Sequence, residues 1–193
     1  MAIHQAESLL HYNYFIALDA DVENLSRFIE FNPDNFPAYS IEMAHLMLAA
    51  ASEVDVVAKL ICKKVNPESK AENIAQYKGV IKKAFPQLCE IKVLMPRYGL
   101  TLEPWINWKS NKKPEWWDYY NKVKHERNKY FKQANLKNTL NAVAGLFVTL
   151  LYFYKYEANN GMLIPTPRLF RLEEKYDAGI NITGGELRLS YDI

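Results

Sequence analysis

The chain has 193 residues, of which 49% are apolar and 13% aromatic, and a formal net charge of +2. This is ample for one domain (1–193) with a sizeable core and excludes a disordered or low-complexity chain. Only four histidines and two distant cysteines, Cys62 and Cys89, with no Cys-x-x-Cys pair, argue against structural zinc, so no metal and no cofactor is expected.

Apolar residues Phe15, Leu18, Val22, Leu25 and Ile29 recur at helical spacing and predict a helix over about 12–31. Asn32-Pro33 closes it, and Ser40 is placed to cap a second helix over 41–65, apolar almost all round and therefore central. Ser69-x-x-Glu72 reads as a capping box for a third helix carrying Ile74, Tyr77, Ile81 and Phe85, stopped by Pro86. The stretch near 88–103, broken by Pro96 and Gly99, suits two short strands. A polar loop follows, and Pro114 stands where a first helical residue belongs, opening a fourth helix over 114–131. Asn135 caps a fifth, with Leu136, Leu140, Val143, Phe147, Leu151 and Tyr154 on one stripe, closed by Asn159-Asn160-Gly161. In the tail, Gly184-Gly185 between apolar runs reads as a hairpin turn. The fold class is mainly α: an up-and-down bundle of about five helices, helical core about 12–158, with small β excursions near 88–103 and in a C-terminal appendage at 162–193. No apolar run reaches the roughly 18 residues of a membrane span, and the start lacks the basic flank and cleavage site of a secretory signal. Together with the sparse cysteines this predicts a cytoplasmic protein without membrane contact.

Charge is unevenly spread. Between Lys109 and Lys137 nine Lys/Arg face three acids, so that segment is +6 and the rest of the chain −4. Within it lies WWDYYNKVKHERNKYF, residues 116–131. Helical spacing puts Asp118, Asn121 and His125 on one face, and Trp116, Tyr120, Val123 and Arg127 on a neighbouring stripe. A histidine beside an amide and near a carboxylate is a candidate acid/base unit, His125 being the catalytic candidate and Asn121 its partner. Lys122, Lys124, Arg127 and Lys129 are candidate phosphate ligands. Trp117 and Tyr120 are candidate base-stacking faces within a basic aromatic cleft over 105–131. On the central helix a polar stripe that includes Asp55 and Lys59 is expected either to make a salt bridge to another helix or to face the same cleft. Gly-rich phosphate loops, HExxH and GxSxG are absent from the sequence.

At YYNKVKHERNKYF, followed by an amphipathic helix, the sequence resembles the HEPN superfamily. That resemblance spans roughly 12–158 and implies an all-helical domain. Members of the superfamily include metal-independent endoribonucleases of toxin and antiviral systems, and non-catalytic binding modules. The family motif is Arg, a polar residue, a short spacer and His; here Asn121 and His125 match, and Tyr120 stands in the position of the Arg. In an active member the His would do acid/base work while the Arg stabilised a phosphate under attack by the neighbouring 2′-hydroxyl. The resemblance also implies a homodimer whose motif helices meet across a composite cleft. Three readings stay open: a non-catalytic or weakly catalytic module binding RNA, a nucleotide or a partner; a metal-independent endoribonuclease; or a purely structural domain.

Overall fold

The Ser40 hydroxyl accepts a hydrogen bond from the Met43 N–H at 3.1 Å, and the chain turns into a 25-residue helix at that point. This is seen in a computed structural model that describes residues 8–183 and 186–193. The main helices are α1 (Leu10–Leu25), α2 (Ile41–Val65), α3 (Ile74–Ala84), α4 (Glu115–Tyr130) and α5 (Leu136–Phe153), with a short α6 (Lys155–Asn159) after a break at Tyr154. The fold is thus mainly α, as the periodicity implies.

The start of α5 is capped as Asn135 predicts, its side chain accepting from the Asn138 N–H at 3.0 Å. From Ala142 to Tyr152 the helix is buried on all sides rather than on one stripe, and Thr139 and Thr149 are buried with it. Both threonines are satisfied: Thr139 donates to the Met43 carbonyl at 3.1 Å and Thr149 to the Gly145 carbonyl at 2.7 Å. By length and composition α5 is, among the described residues, the one helix apolar enough to cross a membrane, and 83% of it is buried inside the protein. It is a core helix, and it corrects the expectation that no segment reaches that length.

The two long helices α2 and α5 run the same way. Their N-terminal ends meet through Thr139 and Met43, and Lys64 near the end of α2 donates to the Phe153 carbonyl at 2.9 Å. Helix α1 runs against them: Phe15 stacks on Phe147 at 5.2 Å, and His11 meets both Glu53 of α2 and the Phe153 ring.

Several boundaries differ from expectation. Helix α1 ends at Leu25 rather than near 31, because the Ser26 hydroxyl bonds the Glu23 carbonyl and the chain turns. Phe31 is then free to pack on Tyr98 at 4.8 Å. The cap of α3 is Asn73 rather than Ser69: its side chain accepts from the Gln76 N–H, and Gln76 reaches back to the Glu72 N–H. The cap lies four residues later, with Gln76 reaching the residue before it rather than closing a full box, since Ser69 accepts from Ala71 beside the Pro67 turn. Pro114 is the N-cap of α4, with ψ 140°, not its first helical residue. The polar loop before it contains a 3₁₀ turn, Ile106–Trp108, whose Trp108 is buried.

The β excursion forms as expected, β1 (Val93–Met95) pairing antiparallel with β2 (Leu100–Leu102). Gly99, at φ +61°, makes the left-handed turn between them, a conformation that disfavours side-chain-bearing residues. From the C-terminal segment β3 (Arg171–Leu172) pairs with the other edge of β1. β4 (Asp177–Thr183) and β5 (Glu186–Tyr191) pair with each other, while Gly184-Gly185 lies outside the described residues. Phe170 and Tyr191 reach the core against Phe147, so the C-terminal segment is packed onto the helices.

Asp19 of α1 pins that segment. Its buried carboxylate accepts from the Arg168 N–H at 2.6 Å and the Leu169 N–H at 3.2 Å. Burial raises its carboxyl above the ordinary 3.8, although the two N–H groups, Arg168 and Arg171 pull the other way. The folded state therefore holds this proton more tightly than the unfolded chain. The stabilisation is complete below 3.8 and is lost as pH rises through the raised native value. Urea denaturation of the wild type and Asp19→Asn is expected to show the wild type's relative stability largest in acid and smaller near neutrality. A relative stability that instead grew toward neutral pH would contradict this. Asp19→Ala, which strands both N–H groups, is expected to cost about 1–3 kcal/mol.

Candidate functional site

The basic segment is built on a tryptophan cluster. Trp105 donates to the Gly145 carbonyl at 3.1 Å, and Trp116 donates to the Pro104 carbonyl at 2.8 Å. Trp105 contacts Trp108 and Trp116 at ring separations of 4.3 and 5.4 Å, and Trp116 in turn contacts Trp117 at 5.6 Å. The last link is Trp117 on Tyr120 at 5.3 Å. All four tryptophans are buried, as is Tyr120. This corrects the expected base-stacking role: the faces of Trp117 and Tyr120 are spent on neighbouring rings and are closed to a base. Gly145 makes the cluster possible, since a Cβ there would stand 2.8 Å from the Trp116 ring.

The helix emerges from the core after Val123, and residues 124–129 are exposed. Its regular dihedrals break at Glu126 (φ −137°, ψ 52°), directly after His125. Neither Pro nor Gly stands there to announce the kink.

The Asp118, Asn121 and His125 side chains do not assemble into a unit. Asp118 pairs with Lys122 at 2.8 Å, and Asn121 donates to the Trp117 carbonyl of its own helix at 2.9 Å. Among the described residues His125 makes no hydrogen bond or ion pair, and neither does Arg127. Lys124 lies over the Tyr120 ring at 5.5 Å with its ammonium 3.4 Å from the hydroxyl. Lys129 is engaged by Glu126, which raises its pKa through the hydrogen bond first; Asp118 does the same for Lys122. These are exposed pairs, worth little to stability and easily exchanged for a phosphate.

Asp55 lies beside the Tyr77 hydroxyl of α3 and, after burial itself, is the next cause that raises that hydroxyl's pKa. Lys59 is half-buried, and no hydrogen bond or ion pair joins Asp55 or Lys59 to Asn121 or His125. Among the described residues neither Asp55 nor Lys59 makes an ion pair, so the expected salt bridge to another helix is not formed.

What the structure does bring together is an open cationic surface. Lys124, His125 and Arg127 project from the exposed half of α4, with Lys122 and Lys129 held by exchangeable partners. Such a surface can hold an anionic backbone; it lacks the carboxylate or amide contact that would orient His125 for proton transfer. Comparison of the chain with protein-family models, with curated proteins and with solved structures finds no match.

Proposed function

We propose that this chain is an HEPN-like, non-catalytic RNA-binding module of the cytoplasm that holds RNA backbone through Lys124, His125 and Arg127. The observation that carries this reading is the fate of Tyr120. It occupies the motif position of the phosphate-stabilising Arg, and its side chain is buried under Lys124. No cation occupies that motif position to balance a pentacoordinate phosphate, and His125 has no orienting partner among the described residues. What remains is attraction between exposed cations and phosphates, which is sequence-tolerant and salt-sensitive. The buried free thiols Cys62 and Cys89 suit a reducing compartment.

The reading includes a homodimer, as the resemblance implies. It is supported by apolar surface beside the exposed end of α4. Tyr39 packs edge-on against Phe131 at 5.4 Å yet stays 53% exposed, and Ile41 next to it is 65% exposed. Sedimentation of the wild type and Ile41→Lys is expected to show a dimer that the substitution dissociates.

The test of function uses purified full-length protein with single-stranded RNA in EDTA. Wild type and His125→Ala are expected to bind RNA at low salt and to leave it intact. Cleavage by the wild type that disappears in His125→Ala would establish the endoribonuclease reading instead.

A further inference from the structure

Where the basic end of α4 meets the chain before α2, an aromatic side chain stands in solvent. Tyr39 packs edge-on against Phe131 at 5.4 Å and keeps 53% of its surface exposed. Phe131 continues the helical dihedrals of α4 (φ −55°, ψ −38°), so it lies about 6 Å beyond Arg127 along the helix and on the same face. Lys132 follows it, exposed and without a hydrogen bond or ion pair among the described residues. Arg127 and Lys132 thus bracket, in the chain, the ring against which Tyr39 packs. The backbone that carries Tyr39 is fixed. It bridges Asn135 in antiparallel fashion, and the Ala38 carbonyl accepts from the Leu136 N–H at 2.9 Å. Ser40, the next residue, caps α2. Tyr39 is therefore held between the starts of two long helices, and offering its ring to a ligand orders little else.

A single strand of RNA offers charged phosphates and flat bases together, and a surface that holds it without sequence preference pairs cations with an open aromatic face. Cations alone would hold a duplex as well as a single strand. The buried rings of the tryptophan cluster have no face to offer, whereas Tyr39 has one beside the unpaired cations. From this geometry we infer that Tyr39 is the stacking platform for one nucleobase of a single-stranded RNA whose phosphates Arg127 and Lys132 hold. This inference rests on the RNA reading and deepens it by naming the kind of RNA. The ligand is a strand whose bases are unstacked, because in a duplex each base face is covered by its neighbours. The recognition is of a π-face and not of a base edge, so it favours a base over no base without choosing among the four.

The experiment titrates the full chain with two single-stranded oligomers of equal length and charge, an oligoadenylate and its abasic ribose-phosphate counterpart. Wild type, Tyr39→Phe and Tyr39→Leu are compared. The wild type is expected to bind the oligoadenylate about 5- to 100-fold more tightly than the abasic strand, the range for one stacked base. Tyr39→Phe keeps a ring and should keep that preference. Tyr39→Leu keeps apolar bulk at the position but no flat face. It should bind both oligomers alike, at the wild type's affinity for the abasic strand, with the same salt dependence and the same sedimentation as the wild type. Equal binding of both oligomers by the wild type, or a preference that survives in Tyr39→Leu, would overturn the inference and leave the RNA reading standing. A wild type that binds neither oligomer at low salt would remove the RNA reading and the inference with it.

Discussion

Trp116→Ala is expected to lower the unfolding free energy by about 3–5 kcal/mol, the range for truncating a large buried aromatic. The residue is 2% exposed, and its ring fills the space between Trp105, Trp117 and the bare backbone of Gly145. Truncation opens a void that the rigid helices around it cannot close, and strands the Pro104 carbonyl that the indole N–H satisfies. For a chain of this size the melting temperature should fall by roughly 10 °C or more. Phe28→Ala, at a side chain 85% exposed, serves as the control and should change stability by less than about 0.5 kcal/mol. Equal, small losses in both variants would mean that the tryptophans are surface groups, and would return Trp117 and Tyr120 to the list of base-stacking candidates.

The second large effect is on binding. The double variant Lys124→Glu/Arg127→Glu should bind single-stranded RNA at least tenfold more weakly at low salt. Each phosphate contact on a single strand contributes about 0.7 to the slope of log affinity against log salt. Removing two contacts should therefore flatten that slope by about 1.4. Folding should be unaffected: Arg127 has no partner among the described residues, and Lys124 has only its ring contact and long hydrogen bond with Tyr120. An unchanged slope would mean that RNA, if bound, is held elsewhere.

The parts of the fold that were legible in the sequence were set by local chemistry. Ser40 and Asn135 satisfy N–H groups three residues ahead, and nothing distant competes for them. The strands before α4 were equally readable from Gly99 and the prolines around it. Where two local signals stood close together, packing decided: Ser69 and Asn73 both suit a cap, and burial of Ile74 and Tyr77 selected Asn73. The kink at Glu126 left no mark in the sequence.

The site was less legible because its character depends on partners far along the chain. Trp105 is buried through a carbonyl 40 residues away, and Asp55 lies beside a tyrosine on another helix. Spacing placed Asp118, Asn121 and His125 on one face correctly, yet side chains on one face need not bond to one another. Lys122 and the Trp117 carbonyl took the partners that His125 would need.

The most direct test of the RNA reading is a titration of isotopically labelled protein with single-stranded RNA, followed residue by residue by NMR. Shifts concentrated at residues 122–132, including the His125 ring, are expected, with the four indole N–H signals unmoved. Shifts of the indole signals, or a perturbed surface that excludes 122–132, would contradict it.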